Sequence, residues 1–162
     1  MPVKGVPVGP EGGVVPDHMS SERSHRGANA KLARDFPPES ESAPAARHFV
    51  VEVSGALDME TGFRLSALTS ELVSNAILHA RTPFTVSVAL RPELIRVSVT
   101  DGSTSVPVPR RSGPDRPTGR GLRIVEALSD DWGFTRNRKG KAVWFELSRS
   151  NRSDDRFGGP AG

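Results

Sequence analysis

Glu71 and Asn75 stand four residues apart in Glu71-Leu72-Val73-Ser74-Asn75-Ala76, and the chemistry open to such a pair is specific. On an α-helix Asn75 falls roughly 40° from Glu71, so the two stack one turn apart along one edge. Leu65, Leu68, Leu72 and Ala76 fall at about 60–140° on the same wheel, which puts the polar pair at the rim of an apolar stripe. A carboxamide oxygen is a hard neutral ligand for Mg²⁺, an ion that keeps several waters and takes few protein ligands. A carboxylate one turn away can activate a hydroxyl or a water toward phosphate. The same two residues would equally suit a half-exposed helix that does no chemistry, because Glu and Asn are common at surfaces.

Two other stretches carry candidate chemistry. Asp101-Gly102 follows the apolar run Leu94-Ile95-Arg96-Val97-Ser98-Val99. An aspartate at a strand exit can be partly buried and accept a hydrogen bond from an exocyclic amine such as that of adenine, although Asp-Gly is also a common turn signal. Thr118-Gly119-Arg120-Gly121-Leu122 closes a polar loop and opens a helix. Its glycines let the backbone approach an anion, and the free N–H groups of a first helical turn point toward one. The stretch is not a P-loop, since G-x-x-x-x-G-K-[ST] is missing, nor a dinucleotide fingerprint, since no strand enters it and the third glycine is lacking.

Other residues have plainer readings. His18, His25 and His48 show no ligand spacing, Asp130-Asp131 reads as turn chemistry, and Trp132, Trp144 and Phe145 read as hairpin packing. No G-x-S-x-G elbow supports a serine nucleophile.

The elements that must position these residues follow from periodicity. Ala30–Phe36 alternates and stops at Pro37-Pro38, as an edge strand would. Ser42–Val53 has apolar residues at one helical face, with Ser42 as a candidate N-cap and Gly55 as the stop. Asp58 or Thr61 opens a helix that continues to about Ala80 and ends before Thr82-Pro83. Phe84–Leu90 and Leu94–Thr100 alternate around a short turn, which predicts a hairpin. Residues 102–118 hold almost nothing apolar, a loop of about 17 residues whose length points to function. Gly121–Leu128 reads as a helix, and Asp131–Thr135 and Ala142–Leu147 as a final hairpin. Helices mixed with paired strands predict a helical layer on one face of a mixed, largely antiparallel sheet.

Bulk properties bound the rest. Of 162 residues, 35% are apolar, 22 are Lys or Arg and 19 are Asp or Glu, for a formal charge of +3. The apolar deficit lies in residues 1–30 and 149–162, which are expected to be disordered tails around an ordered domain at 31–148. There is no cysteine, which excludes disulfides, thiolate metal sites and cysteine nucleophiles. The arginines are not arranged as a basic stripe with interleaved aromatics, so no direct nucleic-acid partner is expected. No apolar run is long enough to span a membrane and Met1–Pro10 does not read as a secretory signal, so the expected location is cytoplasmic.

Together these motifs resemble the histidine-kinase-like ATPase superfamily, also called GHKL, and within it the anti-sigma-factor serine/threonine kinases of high-GC Gram-positive bacteria. The resemblance rests on Glu71-Leu-Val-Ser-Asn75-Ala-Ile-Leu-His79-Ala80, Gly119-Arg-Gly121-Leu-Arg-Ile-Val and Gly140-Lys-Ala-Val-Trp-Phe-Glu-Leu147, in the family's order, with Asp101 between them. It implies an α+β fold, the two-layer Bergerat-type sandwich, holding ATP and Mg²⁺ beneath a lid formed by residues 102–118. By matching position it makes Asn75 the Mg²⁺ ligand, Glu71 the general base toward a substrate serine, and Asp101, with Gly102 beside it, the adenine contact. Gly119, Gly121 and Leu122 would meet the phosphates, Arg120 could reach one, and His79 could line the phosphate region. The implied partners are an anti-anti-sigma antagonist, which would be phosphorylated, and a sigma factor; a homodimer stays open. The sequence departs from the family in two places. Ser103 and Ser105 stand where the D-x-G-x-G motif has glycines, and Ala142 matches the position where many members carry a threonine beside the adenine. An ATP-gated binding module without catalysis is therefore the alternative. A two-component sensor kinase fits less well, because no phosphoacceptor-histidine helix precedes the domain.

Overall fold

The computed structural model describes residues 29–105 and 120–149. The expected tails, apart from Asn29, Ala30 and Arg149, lie outside the described residues, as do Gly119 and residues 106–118 of the expected lid. The chain order is β1 (Ala30–Phe36), α1 (Ser42–Ser54), α2 (Met59–Asn75), a π-helical turn (Ala76–Ala80), β2 (Phe84–Arg91), β3 (Leu94–Asp101), α3 (Arg120–Leu128), β4 (Asp131–Asn137) and β5 (Gly140–Ser148). The five strands form one sheet in the order β1-β2-β3-β5-β4. The sheet expected to be mixed and largely antiparallel is antiparallel in all four of its ladders.

Period-two alternation decides which face is covered. Val86, Val88, Ile95, Val97, Val99, Val143, Phe145 and Leu147 all point to one side and are buried, as alternate residues of a half-covered sheet must. Over them lie Ala46, Phe49 and Val50 of α1 and Leu65, Leu68, Leu72 and Val73 of α2. Burying each of these larger side chains favours the fold by about 1.5–3 kcal/mol, which is what holds α2 rigid beneath its polar edge. Among the described residues no helix is long and apolar enough to cross a membrane.

The helix starts sharpen the sequence reading. Asp58, not Thr61, caps α2: its carboxylate accepts from the Thr61 N–H at 2.9 Å and from the Thr61 hydroxyl at 2.6 Å, which satisfies one of the orphan donors of the first turn. Ser42 does not cap α1. Glu41 precedes the helix without a side-chain cap, and the Ser42 hydroxyl instead donates to the Pro37 carbonyl at 2.7 Å, tying the turn after β1 to the helix.

Candidate functional site

The edge of α2 comes first, because the core beneath it fixes its direction. Leu72 and Val73 are buried, while Glu71 and Asn75 on either side of them are partly exposed. This is the rim position expected from the helical wheel. Among the described residues neither the Glu71 carboxylate nor the Asn75 carboxamide has a hydrogen-bond partner. Burial without a compensating donor pushes the Glu71 carboxyl above its ordinary range, since desolvation disfavours the charged form. A carboxylate of raised basicity beside an uncommitted amide oxygen is a better proton acceptor than a surface glutamate.

Beyond Asn75 the α-helical register is lost. The Arg81 N–H donates to the Ala76 carbonyl at 3.1 Å, five residues back, and Arg81 closes the turn in the left-handed conformation at φ 54°. Such π turns occur mostly inside α-helices at functional positions. The wider turn shifts the angular position of the residues within and after it. His79, expected one turn past Asn75, lies inside the π turn and is exposed.

The second candidate group lies at the end of β3. Asp101 is buried on the helix-facing side of the sheet, opposite Phe84 of β2 and Lys141 of β5. One of its oxygens, Oδ1, accepts both from the Lys141 ammonium at 3.2 Å and from the Ser103 N–H at 2.8 Å. The Ser105 N–H in turn donates to the Ser103 hydroxyl at 3.2 Å. Asp101 and Ser103 thus close two successive turns with their side chains at the entrance of the loop, and the second, through the Ser103 hydroxyl, uses a group that a glycine at 103 would lack. Gly102 is packed against Thr82, whose hydroxyl accepts from the Gly102 N–H at 2.9 Å. Thr82 lies two residues past the π turn, so this bond joins the exit of the helical edge to the strand end that carries Asp101, and β3 also packs against the π turn itself.

Strand register bears on Ala142, the position matched to the family's threonine beside the adenine. Ala142 pairs with Thr100 and Thr135 and so lies on the opposite face of the sheet. The residue beside Asp101 is Lys141, which the sequence reading missed. Its signal was present: Val143, Phe145 and Leu147 set the inward parity of β5, and position 141 shares it.

The third candidate stretch opens α3, which begins at Arg120 and packs against α2. Gly119 lies outside the described residues, and for Arg120 and Gly121 only the helical backbone is described. Leu122 is buried in the core, so its backbone N–H is what it can offer a phosphate. The far end of α3 is fixed by Arg64 of α2, which donates to the Leu128 carbonyl at 2.7 Å and to Asp130 at 2.6 Å.

These groups are compatible with a magnesium nucleotide. Asn75 supplies one hard oxygen donor, and the described residues hold no group of three His, Cys, Asp or Glu side chains that would make a protein-only cage. Mg²⁺ held chiefly by phosphates and water needs no such cage.

Comparison with known proteins agrees with this architecture. The family described as the histidine kinase-like ATPase domain matches residues 36–147. Among solved structures, the RsbU and RsbW domains of Rv1364c from Mycobacterium tuberculosis align with a TM-score of 0.57 at 21% identity, over 76% of this chain and 34% of that one. The chain therefore spans about a third of that protein's length, and the likeness is one of fold. A histidine kinase domain from the Erythrobacter litoralis EL346 blue-light activated histidine kinase aligns with a TM-score of 0.44 at 23% identity, over 66% of this chain and 57% of that one. No curated protein matches. With the family's domain matched from the end of β1 to the end of β5, the chain belongs to the histidine kinase-like ATPase domain family.

Proposed function

We propose that this chain is an ATP-dependent protein serine/threonine kinase that acts as an anti-sigma factor, phosphorylating a small anti-anti-sigma antagonist and binding a sigma factor. The observation that carries the catalytic part is the Glu71 carboxylate, half-buried, without a hydrogen-bond partner among the described residues and raised in basicity, one helical turn before Asn75. Family membership and the fold likeness to a chain containing an RsbW domain support the wider reading.

In this mechanism Glu71 accepts the proton of a substrate serine hydroxyl as its oxygen bonds to the γ-phosphorus of ATP. The bond from that phosphorus to the β–γ bridging oxygen breaks, and ADP leaves with the electron pair. Asn75 would hold Mg²⁺, whose charge, when it is bound, offsets that of the phosphates. Asp101 accepts from the adenine amino group, and the opening turn of α3 meets the phosphates through backbone N–H groups. The test is transfer of labelled phosphate from ATP to a serine-bearing antagonist. Glu71→Ala should abolish transfer while nucleotide still binds; transfer at the wild-type rate in that variant would remove Glu71 as the base.

A second reading is favoured by the loop entrance, where Ser103 and Ser105 are held by side-chain bonds. There ATP would order a protein-docking surface without chemistry. ATP-dependent capture of a partner with no labelled product, under conditions where the fold is intact, would favour this reading over the kinase.

A further inference from the structure

The inward face of β5 is apolar at Val143, Phe145 and Leu147 and then carries a lysine. Lys141 is 7% exposed and Asp101 3% exposed, and they are in contact at 3.2 Å. A buried ion pair is weak as a source of stability, because the desolvation of both groups offsets their attraction. Lysine in particular is rarely this buried. Packing alone would be served as well by another apolar residue at 141.

The geometry of the pair suggests what it does. Both Lys141 and the Ser103 N–H bond to Oδ1 of Asp101, which leaves Oδ2 without a partner among the described residues. An ammonium has three donors, and among the described residues Asp101 takes one of them. The pair thus presents an acceptor and a donor side by side at the end of the sheet's covered face. Arg136, opposite Lys141 on β4, is turned to the Thr104 carbonyl at 3.5 Å. On the edge of adenine, the 6-amino group donates and the adjacent N1 accepts.

We propose that Lys141 is a second base-reading residue: its ammonium donates to N1 of adenine while Asp101 accepts from the 6-amino group. This rests on the ATP reading of the site. It assigns direct recognition of N1 to a side chain on β5, and it explains why a cation sits beside the aspartate.

Binding of ATP, 1-deaza-ATP (which lacks the N1 acceptor) and purine riboside triphosphate (which lacks the amino group) to the wild-type chain and to Lys141→Met, by calorimetry with Mg²⁺, tests it. The wild type should bind 1-deaza-ATP about tenfold more weakly than ATP, the scale of one charge-assisted hydrogen bond. Lys141→Met should bind ATP about tenfold more weakly and treat ATP and 1-deaza-ATP alike, while still discriminating against the analogue without the amino group. Equal binding of ATP and 1-deaza-ATP by the wild type overturns the role of Lys141 and leaves the ATP reading standing. Tighter ATP binding by Lys141→Met also overturns it, because the lysine would then be blocking the base. If ATP itself does not bind the wild type, the ATP reading and the inference fall together. Should Lys141→Met not fold, the comparison of analogues on the wild-type chain still decides.

Discussion

The backbone of Gly140 lies directly against the main-chain carbonyl of Asp101, so that a Cβ at 140 would overlap the carbonyl oxygen and approach the Gly102 Cα. Gly140 also holds φ at 154°, outside the range that suits other residues. It thus seats the start of β5 on the end of β3 at the level of the candidate base contact. Gly140→Ala should lower stability by about 2–4 kcal/mol and weaken ATP binding, because Asp101 must shift. Gly102→Ala meets only the Thr82 side chain, at 3.2–3.3 Å, and should cost about 1 kcal/mol. Urea unfolding midpoints of the two variants check the order; equal midpoints would contradict this account of Gly140.

Glu71 makes a pH prediction of definite sign. Its carboxyl holds its proton more tightly in the folded chain than in the unfolded one. Its contribution to stability is therefore greatest at acid pH and is lost as pH rises through the folded-state value. Glu71→Gln should stabilise the chain slightly at neutral pH, by less than about 1 kcal/mol because the group is partly exposed and screened by solvent. The same variant should lose about 10²–10⁴-fold in phosphoryl transfer. Melting temperature and transfer rate should thus move in opposite directions.

Arg64 and Asp130 give the reverse pH sign. Burial alone would raise the Asp130 carboxyl, but hydrogen bonds from the Ser148 N–H and the Arg64 guanidinium outweigh it and hold the carboxyl below its ordinary range. The stability it contributes is present above the ordinary carboxylate range and is lost as pH falls through the folded-state value. Arg64→Met should cost about 1 kcal/mol at neutral pH, much of it from leaving the Leu128 carbonyl without its donor. Denaturation of Asp130→Asn across the acid range should show a shallower pH slope than the wild type.

On the uncovered face of the sheet, the Trp144 indole lies so close over Gly133 that a Cβ there would stand 2.6 Å from a ring carbon. The Arg96 guanidinium is 3.8 Å from the same ring's centroid and bonds to Glu146 at 3.3 Å. Gly133→Ala should lift the indole from its seat, lower stability by about 1–3 kcal/mol and shift Trp144 fluorescence to longer wavelength. A Trp132→Phe background isolates that signal. An unchanged spectrum would show that the ring accommodates the methyl group.

Much of this architecture was legible because it is written in periodicity. Leu65, Leu68 and Leu72 mark the buried stripe of α2, and Val97, Val99, Val143 and Phe145 set the inward parity of two strands. The rim position of Glu71 and Asn75 follows from the same arithmetic. The pairing of Asp101 with Lys141 was not legible, because it depends on β3 and β5 being neighbours across the β4 hairpin, a property of the whole sheet. The family analogy drew attention to Ala142, one residue away, and one residue in a strand is the opposite face. The π turn was hidden for another reason. Ala76-Ile77-Leu78-His79-Ala80 contains no glycine or proline, and nothing local distinguishes it from ordinary α-helix.

That turn also confines the effect of a change in chain length. Taking up one extra residue after Asn75 rotates everything downstream by about 100° relative to an uninterrupted helix and leaves everything upstream untouched. An insertion or deletion within Ala76–Ala80 would therefore redirect the chain toward Thr82 and β2 while Glu71 and Asn75 kept their mutual alignment. Evolution can thus adjust how the helix hands over to the sheet at this point, one codon at a time, without disturbing the edge that precedes it.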